Sequence, residues 1–189
     1  MSYSLGEKSL PSLIIIGAPR CGTTSLHAYL GQHPDVYMSP LKETNFFLFD
    51  QKKPAFAGPD GENINRDSIY RLEDYRKQFA PRTTEKAAGE ASPRYLGSTG
   101  TAARIHAFLP DVKLIAILRN PVKRALSHFA MRKRDGWEPC ETFEQAMTDE
   151  PKRLRENWAG GVYLQRGFYA HHLQAYFEKF PTDQIRVYL

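Results

Sequence analysis

Two stretches of the chain are apolar runs too short for a helix and bounded by turn formers: residues 13–16 (LIII) and 113–118 (KLIAIL). Short runs rich in β-branched residues predict strands buried on both faces of a parallel sheet. Residues 36–38 and 87–91 predict two more short strands, and 185–189 another at the end of the sequence. Between them, apolar positions recur at helical spacing. Leu26 and Leu30 predict a helix over 23–32, ended by His33-Pro34. Further helices are expected over 69–79, stopped by Pro81; over 101–109, closed by Pro110; and over 122–133, with Pro121 in its first turn. A helical stretch begins at 142–147, and a longer one spans 164–180, where Tyr163, Phe168, Tyr169, Tyr176 and Phe177 are expected to pack helix to sheet. Residues 51–67, rich in Pro, Gly, Asp and Asn, predict a surface loop. Strands alternating with helices predict an α/β fold, three layers with a central parallel sheet. Ligands of such sheets bind beyond the carboxyl ends of the strands. The segments following predicted strands (Gly17 onward, Lys42-Glu43, Ser92 to Tyr95, and Arg119) are therefore expected to share one rim.

The first of these segments carries a signature. Gly17-Ala18-Pro19-Arg20-Cys21-Gly22-Thr23-Thr24-Ser25 joins a strand to a helix with the glycine spacing of a P-loop, the geometry in which backbone N–H groups and a helix N-terminus converge on a phosphate. The sheet is thus expected to be P-loop NTPase-like. Thr23 stands where that loop carries its lysine, and Arg20 is the only cation inside it, so the loop reads as a phosphate cradle rather than an ATP-hydrolysing site. Thr23, Thr24 and Ser25 also suit a plain helix cap, but a cap needs only one hydroxyl. Arg119 follows a strand where a magnesium-dependent P-loop enzyme carries an aspartate, and its planar fork suits phosphate oxygens. Ser127 lies about two helical turns further on, within reach of the same anion. The structural alternative for Arg119 is a pair with an acidic residue such as Glu90, and for Ser127 an ordinary helix-surface position. Two anion sites on one rim suggest a ligand with phosphates at both ends.

Composition changes this picture little. The chain has 189 residues, enough for one domain, with 26 Lys and Arg against 21 Asp and Glu and a net charge of +5. That excess is either a solvated surface or a preference for anionic ligands. No basic stretch is dense enough to imply a nucleic-acid partner. Cys21 and Cys140 are too few for a disulfide framework, and no cluster has metal-ligand spacing. Residues 1–11 read as a short polar tail before a domain over 12–189, with no leader or membrane span. A cytoplasmic location is expected, or a lumenal one if an anchor has been removed. Oligomeric state is not legible.

Taken together, these motifs resemble the sulfotransferases that use 3′-phosphoadenosine 5′-phosphosulfate (PAPS). Residues 17–26 are similar to that family's 5′-phosphosulfate loop, with Arg20 where lysine is commoner; residues 118–127 are similar to its 3′-phosphate motif. Lys42-Glu43-Thr44-Asn45-Phe46-Phe47 looks like the K-E-x-x-F-F segment of the carbohydrate (heparan-type) branch, as do residues 90–95 and 167–173. The resemblance covers roughly residues 12–189. It implies a donor, PAPS, leaving 3′,5′-ADP; a donor site formed by Arg20, Cys21, Gly22, Thr23, Thr24, Ser25, Arg119 and Ser127; and no metal. Family members continue past the strand matching 185–189 into a basic, glycine-containing loop over the nucleotide, so the expectation is that the C-terminal portion of the family fold is absent here.

The implied reaction moves a sulfuryl group to a hydroxyl on a carbohydrate or small molecule. It needs in-line positioning and cations where charge develops. Arg20 would serve the leaving phosphate, Glu43 would be the base by resemblance, and Lys42 would balance charge on the sulfuryl group while holding the Glu43 pKa down. Alternatively Glu43 is a surface carboxylate paired with Lys42 or Arg94. Of the six histidines none falls in the position of a matching base; His128, which adjoins Ser127, is the nearest rival to Glu43. Phe46, Phe47 and Phe49 either line an acceptor cleft or belong to the core, and Lys123, Arg124, Arg132, Lys133 and Arg134 either touch an acidic acceptor or form a solvated helix face. The competing readings are a nucleotide or small-molecule kinase, against which Thr23 argues, and a non-catalytic nucleotide-binding fragment.

Overall fold

A computed structural model describes residues 9–189; most of the 1–11 tail expected above lies outside them. Five strands, β1 (Leu13–Gly17), β2 (Val36–Met38), β3 (Ala87–Ala91), β4 (Lys113–Ile117) and β5 (Ile185–Tyr188), form one parallel sheet in the order β2-β3-β1-β4-β5. The pleat divides β1 between two cores. Ile14 and Ile16 face one side with Tyr75, Ile105, Leu173 and Tyr176; Ile15 faces the other with Met38, Ala91, Leu26 and Leu30. All three isoleucines are fully buried, as a central parallel strand requires.

Among the described residues there are seven α-helices: α1 (Thr23–Leu30), α2 (Gly61–Asp67), α3 (Leu72–Lys77), α4 (Thr101–Phe108), α5 (Pro121–Arg134), α6 (Phe143–Arg155) and α7 (Tyr169–Phe177). The chain is the three-layer α/β domain expected from its apolar periodicity. The departures have local causes. Within the expected loop at 51–67, α2 forms because Asp60, preceding it, is drawn inward to Arg132 of α5, Oδ2 to Nη1 2.7 Å and Oδ1 to Nη2 3.1 Å, and both side chains are buried. The helix expected over 69–79 is narrower. The one expected over 164–180 is broken into a 3₁₀ turn at Gln165–Gly167 and α7. The cause is Glu150 of α6, whose carboxylate accepts the backbone N–H groups of Tyr163 (2.6 Å), Leu164 (2.8 Å) and Gln165 (2.7 Å) and so holds this segment away from an α-helical path.

Several aromatic assignments are corrected accordingly. Tyr176 does pack helix to sheet, but Phe168 and Phe177 are exposed, and Tyr163 joins a separate cluster with Ala125, Ala146, Phe129 and Phe143. Phe46 and Phe47 are core residues, Phe46 stacking on Tyr75 with ring centroids 4.3 Å apart, and neither lines the cleft described below. Arg124 and Arg132 are buried, so the basic residues of α5 are not one solvated face.

Candidate active site

The turn after β1 is built by two glycines. A side chain at Gly17 would lie 2.6 Å from Leu96 Cβ, so only glycine lets this strand end pass the loop after β3. Gly22 has φ 92°, a left-handed conformation open to glycine without strain. The helix that follows has no side-chain cap, and its first α-helical backbone bond is Leu26 N–H to Gly22 C=O. The N–H groups at its start therefore point outward as an anion site. Thr23 is buried; Gly22, Thr24 and Ser25 are exposed. Cys21 lies beneath the loop: its N–H donates to Ala18 C=O, its Sγ is 3.8 Å from Tyr169 Oη, and burial pushes its thiol pKa up. Arg20, at φ 69°, reaches across to α5, where Nε and Nη2 each donate to Ser127 Oγ at 3.3 Å and Nη1 lies 3.2 Å from Met131 Sδ.

The segments after β2 and β3 are tied to each other by Glu90. This fully buried carboxylate accepts from four hydroxyls: Thr44 (2.6 Å), Ser92 (2.7 Å), Tyr75 (2.9 Å) and Tyr95 (3.0 Å). Burial raises its pKa, against the opposing pull of the hydroxyls. Glu90 is therefore not the partner of Arg119. Ser92 Oγ also accepts the Asn45 N–H (3.1 Å), and Glu43 N–H donates to Ala91 C=O (2.9 Å). These bonds hold Glu43 and Asn45 in left-handed backbone conformations, φ 64° and 56°. Glu43 stands over the rim, 2.9 Å from Lys42 Nζ and 3.9 Å from Arg94 Nε.

Burial pushes the Glu43 pKa up, but Lys42, Arg94 and Arg166 together outweigh it, and the net shift is downward. A depressed pKa keeps the carboxylate ionised to lower pH. The acid limb of kcat/KM should therefore fall below the ordinary value of 4.5. Lys42→Ala should move that limb upward; a pH–rate profile with an unmoved limb would separate Glu43 from the titrating group.

Helix α5 supplies the third wall. Asn120 Oδ1 caps it, accepting the Lys123 N–H at 3.0 Å, and Pro121 fills its first turn. Arg119, just before the cap, is exposed at the end of β4, next to β1 in the sheet. One face of α5 turns inward with Arg124, His128 and Arg132. The pKa of His128 is pushed well below 6.5, by burial first and then by Arg166, Arg124, Arg132 and Arg94, so the ring is neutral at pH 7; its Nδ1 has no hydrogen-bond partner. The 3₁₀ turn anchored by Glu150 delivers Arg166 beside Arg94, and both guanidinium groups donate to the carbonyl of Ala159.

These walls enclose a cleft of about 310 Å³, lined on the loop side by Arg20, Gly22, Thr23 and Thr24, and opposite by Lys42, Glu43, Arg94, His128 and Arg166. The expected convergence on one rim is thus realised for the phosphate loop, Lys42-Glu43 and Arg94. Cys21 and Ser25 are outside the lining. Ser127 is joined to it through Arg20, and Arg119, exposed after β4, is outside the lining. Sequence reasoning did not single out Arg166. It sits one residue before the quoted 167–173 motif, and treating 164–180 as a single helix hid its delivery to the rim.

A parallel sheet with a phosphate-type loop lacking the P-loop lysine, facing a carboxylate and several arginines, presents a cleft suited to an anionic ligand. The chain belongs to the sulfotransferase family, whose model matches residues 11–185. The crystal structure of a sulfotransferase from Alicyclobacillus acidocaldarius superposes with a TM-score of 0.90 at 38% identity, covering 95% of this chain and 73% of that one. The membrane-associated sulfotransferase kil1 of Dictyostelium discoideum is 34% identical over 151 residues, 75% of this chain and 28% of its own. Heparan sulfate glucosamine 3-O-sulfotransferase 3A1 of Mus musculus is 32% identical over 185 residues, 95% of this chain and 41% of its own. The chain therefore spans less than half the length of each of these two curated relatives. Among the described residues, no helix is long and apolar enough to cross a membrane.

Proposed function

We propose that this chain transfers a sulfuryl group from PAPS to an acceptor hydroxyl, on a carbohydrate or small molecule, with Glu43 as general base. The observation that carries the reading is the facing of an uncapped, glycine-turned helix start by Lys42 and Glu43 across one small cleft. The residues present fit an adenosine donor with anions at both ends. Free N–H groups at Gly22 to Ser25 and the Arg20 guanidinium suit the 5′ end; Arg119, exposed after β4, is the candidate for the 3′-phosphate, with Ser127 on α5 reached by the Arg20 guanidinium. Bound PAPS supplies the sulfuryl group on an activated phosphate. The chain's own residues do the rest. Glu43 accepts the acceptor's hydroxyl proton as the new O–S bond forms and the S–O bond to phosphate breaks. Lys42, drawn to the sulfuryl oxygens, loosens its pair with Glu43 and lets that carboxylate become a better base. Arg20 and the loop N–H groups stabilise charge on the departing phosphate. A sugar acceptor is supported by the relative named for heparan sulfate glucosamine.

Calorimetry with 3′,5′-ADP against ATP tests the donor, and labelled PAPS with a panel of hydroxyl acceptors tests transfer. Preferential ATP binding, or magnesium-dependent ATP turnover, would replace this reading with a kinase. Within the donor site, Arg119→Ala should weaken 3′,5′-ADP by about 2–5 kcal/mol while changing 5′-AMP little, since only the former carries the 3′-phosphate. Equal losses for the two nucleotides would remove Arg119 from that role.

A further inference from the structure

The cleft holds more positive charge on its acceptor side than the transfer reaction accounts for. Arg94 and Arg166 come from different segments, one after β3 and one from the turn held by Glu150, yet both converge on the single carbonyl of Ala159. Two guanidinium groups sharing one neutral acceptor repel each other; burial and the neighbouring Arg94, Arg124 and Arg132 pull the Arg166 pKa down to about 9. The carboxylates nearby are committed elsewhere. Asp60 pairs with Arg132, Glu150 takes three backbone N–H groups, and Glu43 is held at 2.9 Å by Lys42 but only at 3.9 Å from Arg94. Arg94 Nε and His128 Nδ1 are buried without a hydrogen-bond partner, and both residues line the cleft. Buried polar atoms left unpaired cost stability unless a ligand uses them.

We infer that Arg94 and Arg166 form a binding subsite for one oxyanion of the acceptor, so that the preferred acceptor is a compact hydroxyl-bearing acid. This rests on the sulfuryl-transfer reading above, because Glu43 fixes where the reacting hydroxyl lies. Arg94 is within 3.9 Å of Glu43, so an anion on this subsite lies within a few bonds of that hydroxyl. Two neighbouring guanidinium groups in the lining of one small cleft, with Arg94 Nε still without a partner, suit a single carboxylate, sulfate or phosphate, whereas a polyanion's many charges call for an exposed row of cations. A cleft of about 310 Å³, at the small end of ligand sites, suits a small acceptor group.

The test compares acceptors with and without an anion: methyl β-glucuronide against its 6-carboxamide, 4-hydroxyphenylacetate against its amide, and 4-hydroxyphenyl phosphate against its uncharged dimethyl ester. Each is assayed for PAPS-dependent transfer and titrated into the protein saturated with 3′,5′-ADP. In at least one pair the acid should be favoured on the order of 10- to 100-fold, the effect of charge-assisted hydrogen bonds to a buried site. Arg166→Gln and, separately, Arg94→Lys should bring that ratio close to one while 3′,5′-ADP still binds, which also reports that each variant is folded. Parity between acid and neutral partner in all three pairs overturns the proposal. So does an acid preference that survives both substitutions, or equal losses for acid and neutral acceptors, which would assign the arginines to the sulfuryl group instead. Failure of the wild-type protein to bind 3′,5′-ADP would be a different result, removing the sulfuryl-donor reading on which the subsite rests.

Discussion

Glu43→Gln should cut the proposed sulfuryl transfer severely while leaving 3′,5′-ADP affinity nearly unchanged. The amide keeps the size and most of the contacts of the carboxylate but cannot take a proton. General-base catalysis is worth about 10²–10⁴-fold, and that is the loss expected in kcat. The proposed nucleotide contacts lie elsewhere, on the loop after β1, Arg119 and Ser127, so binding of the product is the internal control. Two features make the substitution clean. The Glu43 backbone is positioned by its N–H bond to Ala91 and by the neighbouring Thr44–Glu90 bond, not by its own side chain. Lys42 and Arg94 also retain a carbonyl-type oxygen to face. Turnover at the wild-type rate, measured with labelled PAPS, would reduce Glu43 to a structural partner of Lys42. A parallel collapse in nucleotide affinity would instead indicate that the rim had been rearranged.

Asp60→Ala should be the most damaging substitution remote from the reacting groups. Its carboxylate meets the Arg132 guanidinium with two hydrogen bonds, and both side chains are almost fully shielded from water. Removing one partner leaves a buried, uncompensated charge, at a cost of about 3–5 kcal/mol. For a chain of this size that lowers Tm by roughly 2–4 °C per kcal/mol. The charge balance of the cleft shifts too, since Asp60 is one of the few anions that support the charged forms of Arg94 and Arg166. Replacing both partners, as in Asp60→Leu with Arg132→Met, should recover most of the stability. Urea unfolding of the single and double variants checks this; a neutral effect of the single change would mean that the pair is not buried in solution.

Much of this was legible in the sequence because the parallel strands and the phosphate loop are local patterns. The apolar run ending at Gly17, the spacing to Gly22 and the hydroxyls opening α1 each depend on near neighbours, and the strands at 36–38, 87–91 and 113–117 followed from the same short-range logic. What escaped depends on contacts distant in sequence. Asp60 looked like part of a polar loop because its partner is 72 residues away. The break at Phe168 was invisible because its cause is a carboxylate on another helix taking three backbone N–H groups. Arg124 and Arg132 alternate with exposed Lys123 and Lys133 in a way that composition alone reads as surface. Arg94 was visible as a partner for Glu43, but its convergence with Arg166 on one carbonyl is a tertiary fact.

The four hydroxyls around Glu90 form a collar in which a single carboxyl group is met only by neutral dipoles, sealed from solvent and from the electrolyte outside. The spacing between the proton acceptor and the guanidinium beside it is therefore set by a joint that ionic strength scarcely touches. Arg119, out in the open, has no such protection. Capture of the donor and alignment of the reacting groups thus answer to different physical controls, and one can be retuned while the other stays fixed.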